Sequence, residues 1–146
     1  MADVAVRVAD GLDVGEYLTV MEGSGLADRR PYADTNRVGV VLAASSPVVE
    51  ARTEDGTLVG VARSISDGGF VTFLCDLAVV EAYQDQGIAR DMVEATRDAC
   101  EGTLLVVSAA PDVDPFYDHI GLRRHHSTWY GLPQDLSGFP DPPPIV

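Results

Sequence analysis

Residues 70–89, Phe-Val-Thr-Phe-Leu-Cys-Asp-Leu-Ala-Val-Val followed by Glu-Ala-Tyr-Gln-Asp-Gln-Gly-Ile-Ala, decide the fold. The apolar run over residues 70–80 reads as a buried strand. Beyond the junction, Ile88, Ala89, Met92, Val93, Thr96, Ala99 and Cys100 recur at the spacing of one helix face, and Gly102 ends that helix. A strand that enters a helix through a glycine-bearing turn aims free backbone N–H groups and the positive end of the helix at one point. Such a point suits a phosphate or pyrophosphate.

Outward from this core, the pattern alternates between strands and helices. Val4, Val6 and Val8 have the period of a first strand. Asp13 is placed to cap a helix with Val14, Tyr17, Leu18 and Met21 on its apolar face, and a second helix is expected over residues 34–44. The polar, Gly-rich stretch between them, residues 23–32, reads as a loop. Residues 48–53, 58–66 and 70–80, separated by Asp55-Gly56 and Asp67-Gly68-Gly69, form an antiparallel meander. Residues 103–109 carry the continuous Leu-Leu-Val-Val of a strand covered on both faces and reached through a crossover helix. Asp114-Pro115 opens a short helix, and a closing strand is expected around residues 127–130.

Composition narrows the function. The chain of 146 residues is the length of one ordinary domain, assigned here to residues 1–132, with a Pro-rich tail over residues 133–146. A net charge of −13 leaves no basic stripe for nucleic acid, and every one of the cationic side chains is Arg. An acidic surface attracts cationic amines but equally maintains solubility. No apolar run reaches membrane-spanning length and no signal peptide is recognisable, which predicts a cytoplasmic protein. Cys75 and Cys100 read as small buried hydrophobes, and no Cys/His cluster suggests a metal.

Three local matches now bear on family. Gln84-Asp85-Gln86-Gly87-Ile88-Ala89 resembles the Gln-x-x-Gly-x-Ala pyrophosphate loop of the GCN5-related N-acetyltransferase (GNAT) family. Phe116-Tyr117-Asp118-His119-Ile120-Gly121-Leu122 resembles its Phe-Tyr-x-x-x-Gly-Phe segment, with Leu for the last Phe, and Cys75-Asp76-Leu77-Ala78-Val79 is similar to the strand before the loop. The element order β, α, α, β, β, β, α, β, α, β is also that of the family over residues 4–132. The resemblance implies an α/β (α+β) fold with a mixed central sheet of six to seven strands. Its parts would be an antiparallel N-terminal meander, a parallel central pair and helices on both faces.

The resemblance further implies an N-acetyltransferase that uses acetyl-CoA as cosubstrate and needs no metal. Leu77, Ala78, Val79, Gln84, Asp85, Gln86, Gly87, Ile88, Ala89 and Arg90 would bind the cosubstrate. Gly87 would let the backbone approach the pyrophosphate, and Arg90 could add a charge-assisted contact. An N–H left unpaired at Leu77 or Val79 would hold the acyl oxygen. Tyr117 stands where the family commonly places the acid that protonates the departing thiolate, or is otherwise a core aromatic. Asp76, an acid in an apolar strand, is the candidate base for the amine, or else a carboxylate that faces solvent or is held by hydrogen bonds. Asp28, Tyr32, Phe73 and Trp129 are candidates for the acceptor pocket, and acids such as Asp28 and Asp34 could hold a second ammonium group. The expected acceptor is a small-molecule primary amine. The alternatives are a protein or peptide acceptor, or a non-catalytic acyl-CoA-binding module. A homodimer is an option, because proteins resembling this one commonly dimerise.

Overall fold

The computed structural model describes residues 3–128. Five strands form one sheet in the order β1 (Val4–Val8), β2 (Val48–Thr53), β3 (Leu58–Ser66), β4 (Val71–Val79) and β5 (Leu104–Val107). The first four pair antiparallel, and β5 joins β4 in parallel. The meander and the parallel pair are as expected, but the strand count is lower. Residues 127 and 128 are not in a strand, and the remainder of the expected closing strand, Trp129, Tyr130 and the tail 133–146 lie outside the described residues.

The helices follow local signals. In α1 (Val14–Gly23), the Asp13 carboxylate accepts from the Glu16 N–H at 3.0 Å, and in α2 (Thr35–Ala43), Asp34 does the same for Arg37 at 3.1 Å. Each cap satisfies one of the orphan donors of a first helical turn. Both helices cover one face of the sheet, where Tyr17, Val20, Met21 and Val38 pack on Val61 and Ala78. On the opposite face α3 (Ile88–Ala99) buries Ile88, Met92 and Val93 against Val49, Ala51, Val59, Ala62, Leu74 and Val79. The short α4 (Asp114–His119) follows β5, and its Tyr117 packs on this second cluster.

One irregularity in β4 shapes everything near the site. Arg63 pairs with Asp76 and Ser64 with Leu74, so Cys75 is an extra residue opposite β3. A bulge of this kind bends the strand and shifts the face presented by each side chain after it. Leu74 and Leu77 consequently both pack on the α3 side, while Ala78 packs on the α1 side. The bulge also coincides with the end of the parallel pair, whose last register partners are Leu74 and Val107. Past that point β4 continues through Val79 without β5 beside it.

Candidate active site

The gap left by this divergence opens into a cleft of about 390 Å³. One side is formed by residues 77–79 and, after the turn, by Gln84, Asp85 and residues 87–90. The facing sides come from Arg29 and its neighbours after α1, and from Phe116 and Tyr117 of α4. Of the residues expected to bind a cosubstrate, Gln86 alone does not line the cleft. Its amide instead donates to the Ala82 carbonyl at 3.4 Å.

Backbone direction supplies the donors along β4. The Val80 N–H donates to the Val59 carbonyl at 2.9 Å, so Val80 and, by strand alternation, Ala78 direct their N–H groups toward β3. Leu77 and Val79 then direct theirs to the opposite edge, into the gap left by β5. Gln84 fastens the turn to this edge, its amide donating to the Val79 carbonyl at 2.8 Å. That contact gives Gln84 an anchoring task that its residue type alone did not reveal.

The turn itself is held in an unusual backbone shape. Asp85 has φ 59° and Gly87 φ 85°, two left-handed residues separated by Gln86. Alternation of this kind curls successive N–H groups around a concavity that accepts an anion. Gly87 precedes α3 without a side-chain cap, which leaves the first N–H groups of the helix available to a ligand. A Cβ at Gly87 would meet no protein atom within 4 Å, so the requirement for glycine there comes from its φ and from what occupies the cleft, not from internal packing. The nest, the strand edge and the cleft together fit an acyl-CoA.

Tyr117 is half-buried in the cleft wall, edge-on to Phe116 with ring centroids 5.1 Å apart. Burial pushes its phenol up to about 12, opposite to the lowering that would make it a stronger acid. Tyr117 therefore carries its proton throughout the neutral range.

Asp76 faces α1 and is only 3% exposed. Its Oδ2 accepts from Arg63 Nε at 2.5 Å and from the Tyr17 hydroxyl at 2.7 Å, while Oδ1 has no hydrogen-bond partner among the described residues and lies 3.7 Å from Arg30 Nε. Arg63 also donates to the Ser45 hydroxyl at 3.0 Å. Burial pushes the Tyr17 phenol strongly upward, and the Asp76 charge adds to the shift. Tyr32 leans its ring on Tyr17, and the two hydroxyls are 3.5 Å apart. Asp76 is not in the lining of the cleft.

The expected acceptor residues scatter. Tyr32 joins the Asp76 cluster, Phe73 is exposed before the bulge, Asp28 is exposed in the turn after α1, and Trp129 lies outside the described residues. Asp34 is occupied in capping α2. Sequence reasoning missed Arg29, Arg30 and Arg63. The consecutive pair Arg29-Arg30 in an acidic chain without Lys was the available signal for the first two. Among the described residues no group of three or more His, Cys, Asp or Glu could hold a metal.

Comparison with known proteins points the same way. A family profile described as an acetyltransferase (GNAT) domain matches residues 36–131. Among solved structures, a Deinococcus radiodurans R1 protein assigned as an acetyltransferase is 22% identical with a TM-score of 0.71 over 89% of each chain. The aminoglycoside N-acetyltransferase AAC(6')-Iy, determined with CoA, is 13% identical with a TM-score of 0.69, covering 92% of this chain and 97% of that one. An aminoglycoside acetyltransferase, meta-AAC0020, from an uncultured soil metagenomic sample in complex with sisomicin is 18% identical with a TM-score of 0.65, covering 89% and 97%. At these identities the likeness is one of fold. None of the curated proteins matches the chain significantly. Fold and family profile together define an N-acetyltransferase. The chain belongs to the GNAT family.

Proposed function

We propose that this enzyme transfers an acetyl group from acetyl-CoA to the primary amine of a small molecule, by direct attack of the amine in a ternary complex. The observation that carries the reading is the free edge of β4 at Leu77 and Val79, continuous with the nest at Asp85 and Gly87 in one cleft. Acetyl-CoA supplies an activated thioester, and the protein residues hold and polarise it. The N–H groups of residues 86–90 and the α3 dipole would neutralise pyrophosphate charge. Arg90, exposed at the cleft rim with its Nε on Glu94 at 3.1 Å, would add a cation through its remaining N–H groups. The Leu77 or Val79 N–H would hold the acyl oxygen as it gains charge, without reorganisation at the moment of reaction.

Tyr117 serves as the proton donor to the leaving sulfur. Transfer from a phenol near 12 to a thiolate whose conjugate acid titrates at roughly 8.5 is uphill as a separate step. Donation is therefore coupled to cleavage of the C–S bond, with a hydrogen bond to sulfur as its starting point. For Asp76 we favour an anchoring role: a carboxylate already bound to Arg63 and Tyr17 gains little by taking a proton from an amine. The amine's proton then leaves to water.

The experiment pairs thermal unfolding with release of CoA thiol. Acetyl-CoA at 100 times its Kd stabilises by about 2.7 kcal/mol, which raises the melting temperature. Such a shift together with turnover of small amines supports the proposal. A shift with turnover confined to peptides would replace its acceptor class, and no shift with any acyl-CoA would remove its basis.

A further inference from the structure

The charge around the acceptor end of β4 has the sign opposite to that of the whole protein. Two guanidinium groups, Arg30 and Arg63, converge on the single carboxylate of Asp76. They do not share it equally. Arg63 has the hydrogen-bonded contact at 2.5 Å and is nearly buried, whereas Arg30 Nε stands off at 3.7 Å and its side chain is 37% exposed. One positive charge is thus left over, and it belongs to the arginine that solvent can reach. Among the described residues Asp76 is the one carboxylate within 4 Å of Arg30, and Asp34 is occupied in capping α2.

Arg30 is also positioned. Its Nη1 donates to the Arg29 carbonyl at 3.1 Å and its Nη2 to the carbonyl of Cys75, the bulge residue, at 3.4 Å. These contacts hold the guanidinium over β4 and leave it with N–H groups to spare. Cys75 lies two positions before Leu77, which at ~3.3 Å per residue places the cation roughly 7 Å along the strand from the acyl-oxygen donors. The phosphate end of the cleft lies in the other direction, beyond Val79. Arg30 is not in the lining of the cleft; its contact with Cys75 sets it beyond the acyl end, on the side away from the nest.

We propose that Arg30 selects an acceptor amine that carries an anionic group, a carboxylate or a phosphate, about two or three carbons from its nitrogen. This rests on the acetyltransferase reading above and narrows its substrate class. In water Arg30 is a half-exposed cation over a carboxylate already taken by Arg63. With such an acceptor bound, its fork donates to the anion while the amine stands at the acyl group. Polyamines and other dications meet repulsion at the same place.

The test uses matched amines in the CoA-release assay: β-alanine against β-alanine amide, 2-aminoethyl phosphate against ethanolamine, and putrescine as a dication. An acetyl-CoA melting shift is measured first, so that failure of cosubstrate binding is read as failure of the underlying function. The expected result is a kcat/KM at least tenfold higher for one anionic member than for its neutral partner, and the two pairs tell carboxylate from phosphate. Arg30→Met should abolish that preference through the acceptor KM while the acetyl-CoA melting shift persists, and Arg30→Lys should restore part of it. Equal or better turnover of neutral or dicationic amines would overturn the proposal. So would silence from both anionic amines in a protein that binds acetyl-CoA, or a preference that survives in Arg30→Met.

Discussion

Replacing Asp76 with Asn separates its anchoring role from a role as base. The side chain of Asp76 is 1% exposed and that of Arg63 10%, so the substitution leaves a nearly buried guanidinium without its counter-ion. Removing one partner of a buried pair costs about 3–5 kcal/mol, because the remaining charge stays desolvated. Asn retains one acceptor oxygen for Arg63 or Tyr17, which places the loss near the lower bound, at ~3 kcal/mol. For a chain of this length that corresponds to a fall in melting temperature of roughly 10 °C. Urea unfolding followed by circular dichroism reads the loss as a lower midpoint at unchanged slope. The triple variant Tyr17→Phe, Arg63→Met, Asp76→Leu removes the three most buried polar members of the cluster, leaves Arg30, Tyr32 and Ser45 at its half-buried edge, and should recover most of the stability, since a buried pair is seldom worth more than apolar side chains of similar volume. Turnover measured well below the transition completes the experiment. Loss of less than ~1 kcal/mol with a kcat reduced by three orders of magnitude or so would refute the anchoring argument and make Asp76 the base.

Three more outcomes are expected. Tyr117→Phe should lower kcat by about 10²-fold with little change in acetyl-CoA affinity, as measured by steady-state kinetics and titration, because it removes a proton donor and leaves the ring packing in place. Gly87→Ala should lose about 1 kcal/mol of stability from the strain of φ 85° and should weaken acetyl-CoA binding by calorimetry, since its methyl group enters the cleft and not the protein interior. Stability should also fall at high pH. The phenols of Tyr17, Tyr32 and Tyr117 are all raised by burial, so the folded state keeps protons that the unfolded chain releases above pH ~10. The stabilisation is complete below that pH, and for Tyr117 it declines as pH rises toward about 12, at no more than ~1.4 kcal/mol per pH unit per group. Urea midpoints at pH 8 and pH 11 measure the decline, and Tyr17→Phe should flatten it.

Much of this fold was legible because its signals are local. Asp13 and Asp34 cap their helices within three residues, Asp55-Gly56 turns a hairpin, and the junction before α3 needs positive φ only at Asp85 and Gly87, two residues apart. The period-2 and helical stripes follow from each element having one face to bury. They placed Tyr17 on the apolar face of α1 but carried no information about its hydroxyl. The direction of the Leu77 and Val79 N–H groups was likewise an expectation from the resemblance, because backbone donors leave no trace in residue identity.

What only the tertiary structure decided concerns partners far apart in the chain. The bulge at Cys75 depends on the register between β3 and β4; it turns Asp76 toward α1, and it coincides with the point where β5 leaves the strand. The Asp76 cluster draws on α1, the following turn, β3 and β4, four segments that approach one another only when the sheet and its helices pack. Sequence spacing can state that a carboxylate sits in an apolar strand. Which cations reach it, and which of them keeps a charge to spare, depends on distances of a few ångströms in a low-dielectric interior, and those exist only after folding.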